Sequence, residues 1–323
     1  MRTVEINDGG NQPRKVELIR RGRNNSRIAE LDTGKDKLVV DSIILWPSLQ
    51  DELNPAQGRR DRIVPLTPLH HFYRDLRKSN LTPESIEFSL GGAAGIEPGE
   101  FLAELFHRSV DRFSAYRNLD DEFIPSNAAR TNAVSELFAR RVVQAFRNEP
   151  QTVADSLRAS YVDYEVSPMR TRRAAFEDGQ SAKSSGHGGI DLLLRNKENG
   201  RPIVGEIKAS TESVGITFAL IQASKYAVEL ATDNQWERLC KYYDKYNDKK
   251  FNDGTHPGIE ILIVSEVGSQ LAESDITIAQ QLSEDLLADN EVAKRLKRVT
   301  LCSGEFVDNK LKLCTMFTVK GPI

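Results

Sequence analysis

GIDLLLRNKENGRPIVGEIKA, residues 189–209, sets two short apolar runs on either side of a turn and so points to a strand hairpin. Two apolar runs flank Asn199-Gly200, a dipeptide suited to the positive backbone angles of a tight hairpin turn. Residues 189–195 and 202–209 are therefore expected to pair as antiparallel strands. Asp191 lies in the first and Glu206 in the second, so the turn folds the two carboxylates toward each other. Lys208 follows Glu206 by two residues, and side chains two apart on a strand point to the same face. One face of the hairpin is thus expected to carry Asp, Glu and Lys together.

Working outward, residues 160–166 read as a preceding strand, 211–231 as a following helix and 259–267 as a buried strand. Upstream, Leu102, Leu105, Phe106, Val110 and Phe113 recur at helical spacing within 99–117. A second helix is expected to start at Ser126 as N-cap and to stop before Pro150. The order helix, three strands, helix, strand implies an α/β fold: a mixed central sheet flanked by helices, containing a crossover. The tail adds a helix near 276–297 and a hairpin, 299–319, turning at Asp308-Asn309. Residues 1–95 differ in texture, with short β-rich stretches such as 37–46 broken by turn clusters, and Gly91-Gly92-Ala93-Ala94-Gly95 reads as a loop or hinge. The expected organisation is a β-rich N-terminal region, 1–95, followed by a second domain, 96–323.

The chain has 323 residues, is 39% hydrophobic and contains no run of eighteen apolar residues. With a polar N-terminus, this predicts a cytoplasmic globular protein without a membrane partner. Cys240, Cys302 and Cys314 are too few and too scattered for a disulfide framework, a zinc ribbon or a four-cysteine cluster, and the histidines lack zinc-ligand spacing. A net charge of −3 means that any polyanion must be met by local patches. Arg14, Lys15, Arg20, Arg21, Arg23 and Arg27 form one. Arg170, Arg172 and Arg173 form another, just ahead of the hairpin; each reads equally as a solvated face.

Carboxylates paired across a strand suit Mg²⁺, which takes oxygen ligands and binds through one or two carboxylates while keeping several waters. An adjacent ammonium can orient a water and offset charge on a phosphoryl transition state. The pattern Ile190-Asp191, then Glu206-Ile207-Lys208, resembles the signature of the PD-(D/E)XK nucleases, with Ile190 where the name has proline. In the following helix Gln222 and Tyr226, four apart, resemble the Gln-x-x-x-Tyr motif of the RecB-like branch. The resemblance covers roughly 126–267.

It implies a restriction-endonuclease-like core and hydrolysis of phosphodiester bonds in DNA, in a restriction, repair or anti-phage setting. It also implies Mg²⁺, with Mn²⁺ able to substitute. Asp191 and Glu206 would be metal ligands, Lys208 would position the nucleophilic water, and Gln222 and Tyr226 would line the site. A further metal-side glutamate is expected on the first helix: Glu136, with Glu149 and Glu165 as rivals. His187 and Gly188, together with Arg170, Arg172 and Arg173, are expected to meet the nucleic acid. Tyr226 has a plainer reading, as a core residue packed with Phe218. The N-terminal region would supply target recognition, regulation, or the contacts of a homodimer or partner protein. The alternative on the same fold is a catalytically idle nucleic-acid-binding or protein-interaction module.

Overall fold

In the computed structural model the described residues are 2–6, 14–20, 27–32, 37–38, 67–79, 97–114, 124–125, 134–148, 157–168, 189–210, 215–246, 251, 255–268 and 273–322. The β-rich texture of the N-terminal part appears as β1 (Arg2–Ile6), β2 (Arg14–Arg20), β3 (Arg27–Asp32) and β4 (Lys37–Leu38), an antiparallel meander in chain order. Of the strand expected over 37–46, residues 39–46 lie outside the described residues, as do Gly91 to Gly95.

α1 (Pro68–Ser79) is a helix within the region expected to be β-rich, and its Leu69, Phe72 and Leu76 are buried in the main core cluster. The local reason is ordinary. Thr67 caps the helix, accepting from the His70 amide at 3.2 Å, Pro68 occupies the first helical position, and the apolar residues recur at three and four. The core therefore recruits a helix from N-terminal of residue 96.

The main body is an open mixed α/β sheet with helices on both faces. Its seven strands run in the order β11-β10-β9-β8-β7-β6-β5. They are β5 (Ile124–Pro125), β6 (Ala159–Ser167), β7 (Ile190–Asn196), β8 (Pro202–Lys208), β9 (Ile259–Glu266), β10 (Leu296–Val307) and β11 (Lys310–Lys320). β5 to β8 pair antiparallel; β8–β9 and β9–β10 are parallel, and β11 closes the edge antiparallel. The helices are α2 (Pro98–Ser114), α3 (Val134–Asn148), α4 (Ile216–Leu230), α5 (Asp233–Tyr246), α6 (Glu273–Ala288) and α7 (Asn290–Arg295). Among the described residues no helix is long and apolar enough to cross a membrane.

Strand alternation divides the core. Leu193, Val204, Ile261 and Ile263 pack with α1, α2, α4 and α6, whereas Leu192, Leu194, Ile203, Ile207, Leu262 and Val264 pack with Phe138, Val142 and Phe146 of α3. α4 is buried on every side, so its helicity rests on tertiary packing rather than on an amphipathic pattern. Its start has an unusual cap. Gly215 has no side chain to offer, and Asp275 of α6 substitutes, accepting from the Ile216 amide at 2.5 Å, the Thr217 amide at 2.9 Å and the Thr217 hydroxyl at 2.6 Å. A Cβ at position 215 would lie 2.1 Å from that carboxylate, so only glycine fits.

Three local expectations are revised. The β7–β8 connection is wider than a two-residue turn: the Asn196 amide bonds to the Arg201 carbonyl and the Asn196 side chain accepts from the Glu198 amide, with Gly200 at φ 72°. The helix expected over 276–297 breaks at Asp289, which caps α7 through the amides of Glu291 and Val292, and β10 begins at Leu296. α5 was not anticipated, although Trp236, Leu239, Cys240 and Tyr243 fall on one helical face and are buried. The terminal hairpin turns as expected, with Asp308 at φ 50° and Asn309 at φ 61°.

Candidate active site

β7 and β8 pair Leu192 with Gly205 and Leu193 with Val204, so one further step of the register sets Asp191 opposite Glu206. By alternation both carboxylates and Lys208 share the face of Leu193 and Val204, toward α4. Here the ladder gives way to side-chain chemistry. Asp191 Oδ2 accepts the Ile207 amide at 2.9 Å, holding one carboxylate oxygen against the neighbouring strand. Glu206 is 1% exposed, and its Oε1 accepts from Lys208 Nζ at 2.9 Å. The same ammonium donates to Gln222 Oε1 on α4 at 3.2 Å.

Tyr226, one turn further along α4, completes the group. Its hydroxyl is buried and has no hydrogen-bond partner among the described residues. Burial first, and then the nearby Glu206 carboxylate, with Asp191 also contributing, push its pKa well above the usual phenol value. It is therefore a neutral hydroxyl close to the carboxylates. Phe218, one turn before Gln222, sits with its ring centroid 5.8 Å from Lys208 Nζ. Tyr226 also belongs, with Phe218, to the main core cluster, and Lys225 Nζ lies 3.6 Å from its ring centroid. Beyond the strand ends, the amide and hydroxyl of Ser210 both donate to Glu266 Oε2 at 2.8 Å, tying β8 to β9.

Asp191, Glu206, Lys208, Gln222 and Tyr226 are thus brought together. α3, which carries Glu136, packs on the opposite face of the sheet, and the Glu136 side chain lies outside the described residues, as does Glu149. Glu165 sits at a bend in β6 with φ 50°. Among the described residues no group of three or more His, Cys, Asp or Glu gathers as a metal cage, so the set that assembles has two carboxylates. Arg170, Arg172, Arg173, His187 and Gly188 lie outside the described residues. Gly189, at the start of β7, is closed upon by the chain itself: a Cβ there would lie 2.7 Å from the Glu165 backbone.

A second buried polar group next to the site was not anticipated. Lys225 and Glu229 of α4 are each 2% exposed and lie 3.7 Å apart, and His70 Nδ1 of α1 is 3.9 Å from Glu229. The ring centroid of Tyr73 of α1 lies 5.2 Å from Lys225 Nζ and 5.2 Å from that of Phe218, the two rings tilted by 39°. Burial raises the Glu229 carboxyl to about 7, against the pull of Lys225. The signal was present in ITFALIQASKYAVEL: a Lys–Glu pair four apart inside an apolar helix. Compared with known proteins, this chain matches no family model, no curated protein and no solved structure.

Proposed function

We propose that the chain is a metal-dependent nuclease of the PD-(D/E)XK type that hydrolyses phosphodiester bonds in DNA. The observation that carries this reading is the position of Lys208, whose ammonium bridges the Glu206 carboxylate and the Gln222 amide beside Asp191. An ammonium buried between a strand carboxylate and a helix amide is costly unless something uses its charge. The donor chemistry fits Mg²⁺ or Mn²⁺: two carboxylates from paired strands, with waters and phosphate oxygens left to complete an octahedron. Asp191 and Glu206 would hold the ion. When bound it supplies a Lewis acid and a water of lowered pKa.

The chain's own residues supply the rest. Asp191 is held rigid by the Ile207 amide, so its second oxygen has a fixed direction. Lys208 places positive charge where the attacking water and the scissile phosphate would meet, and Gln222 keeps that ammonium from collapsing wholly onto Glu206. Tyr226, neutral across the physiological range, can donate to a phosphate oxygen or a bound water without competing for the metal. The 126–267 segment would form the catalytic core. Asp191→Ala should abolish cleavage of plasmid, linear and single-stranded DNA in Mg²⁺ or Mn²⁺, and EDTA should abolish it in the parent. Equal cleavage by Asp191→Ala would overturn the assignment.

One observation favours the alternative of an idle module: Glu206, Lys208, Gln222 and Tyr226 are at most 9% exposed. A substrate phosphate cannot reach them as they stand. Parent protein that stays inactive after the site has been opened would support that alternative.

A further inference from the structure

We propose that α1 is a displaceable cover over the candidate active site, closed in the present structure and required to swing off α4 before a phosphodiester can enter. Phe218, Gln222, Lys225 and Glu229 fall at i, i+4, i+7 and i+11, a single stripe along α4. α1 lies on that stripe: Tyr73 covers Phe218 and Lys225, and His70 faces Glu229. Gln222, in the middle of the stripe, is the residue that holds Lys208. The cover therefore sits directly on the wall of the site.

The two sides of α1 differ in chemistry. Toward α2 it is anchored by packing and a main-chain bond, with Phe72 edge-on to Phe101 at 6.5 Å and the Leu69 amide donating to Ser109 Oγ at 3.0 Å. Toward α4 it presents a histidine and a tyrosine to a buried lysine and glutamate. Buried ion pairs contribute little net stability, because their desolvation offsets their attraction. Separating α1 from α4 rehydrates His70 and Glu229 while Lys225 and Glu229 stay paired on one helix. The polar contact thus opens at low cost, and the apolar anchor on α2 keeps the helix attached.

The inference concerns access to the site, and only its cleavage arm rests on the nuclease reading. The test uses the full chain carrying Gln222→Cys, with Cys314→Ser to remove the exposed thiol and the buried Cys240 on α5 as internal reference. Iodoacetamide labelling is followed by peptide mass spectrometry, with and without His70→Ala/Tyr73→Ala. The thiol at position 222 should label roughly tenfold faster or more in the α1 variant, the factor equivalent to about 1.4 kcal/mol of lost contact. Cys240 should be unchanged.

In chains retaining Gln222, DNA cleavage in Mg²⁺ should accelerate by a similar factor. Unchanged labelling at 222 overturns the cover, and so does parallel acceleration at 222 and Cys240, which signals general loosening. Faster labelling with slower cleavage also overturns it, because α1 would then be part of the working site. Faster labelling without cleavage in either protein upholds the cover and defeats the nuclease reading. If the double variant fails to fold by circular dichroism, Tyr73→Leu alone gives the same comparison while keeping the apolar bulk.

Discussion

Lys208→Met separates what the ammonium does for stability from what it does for chemistry, because most of the apolar stem is kept while the charge and its hydrogen-bond donors are lost. In the absence of metal the substitution leaves Glu206, 1% exposed, without its buried counter-ion. Removing one partner of a buried pair costs about 3–5 kcal/mol. For a domain of this size each kcal/mol shifts Tm by roughly 2–4 °C, so the expected fall in EDTA is roughly 6–20 °C. Mn²⁺ should then restore much of the loss in the variant, because a divalent cation at Asp191 and Glu206 replaces the missing charge, and the gain in Tm should exceed that of the parent. Cleavage should nevertheless stay slow, by about 10²–10³ in single-turnover rate, the usual worth of one preorganised charged group. Thermal unfolding with and without Mn²⁺ and single-turnover cleavage on the same preparations measure both effects. Unchanged Tm in EDTA would refute the buried pair; a parent-like rate in Mn²⁺ would refute the catalytic role.

Glu206→Ala should abolish cleavage and also lower Tm by several degrees, since it strands the Lys208 ammonium; differential scanning calorimetry measures the fall. Activity should require Mg²⁺ or Mn²⁺ and fail with Ca²⁺, whose longer and looser coordination binds without orienting the reaction, as gel assays in each metal would show. Glu229 titrates near 7 when folded and near 4.5 when unfolded, so the folded state binds the extra proton between those values. Its contribution to stability is therefore greatest at the acid end of that window and declines by up to about 3 kcal/mol as pH rises through it, and Glu229→Gln should flatten that part of a Tm-versus-pH curve. Limited proteolysis should cut first near Gly91–Gly95, yet the fragment bearing α1 should co-elute with the remainder on gel filtration because Leu69, Phe72 and Leu76 remain in the core. Separate elution would show that α1 docks too weakly to be a cover.

The α/β alternation and the strand pair carrying Asp191, Glu206 and Lys208 were legible in the sequence because period-two hydrophobicity and the Asn199-Gly200 breaker act locally. Spacing alone put Gln222 and Tyr226 on one helix face; their place beside the strand pair followed only from the resemblance to the Gln-x-x-x-Tyr motif. What escaped notice depends on contacts distant in sequence. α1 carries its own cap and apolar stripe, but its partners Ser109, Phe218 and Glu229 lie far down the chain, so the change of texture near residue 91 was read as a domain boundary. Glu136 lies on α3, which packs on the sheet face opposite α4 because Phe138, Val142 and Phe146 match the apolar side chains there. The width of the β7–β8 connection is set by Asn196, whose side chain folds back on the loop amides and whose amide nitrogen reaches Glu260 at 3.1 Å on another strand.

The cap that Asp275 places on α4 bears on how the chain can be divided. A fragment spanning 126–267, the segment that resembles a minimal nuclease, ends before α6 and leaves the Ile216 and Thr217 amides and the Thr217 hydroxyl of a wholly buried helix without their acceptor. Such an excised core begins with its Gln222- and Tyr226-bearing helix frayed at the end nearest the lysine. Supplying residues 268–323 as a separate polypeptide should restore the helix, and the same peptide carrying Asp275→Ala should not. Complementation of the two pieces would thus report on the order of α4 itself.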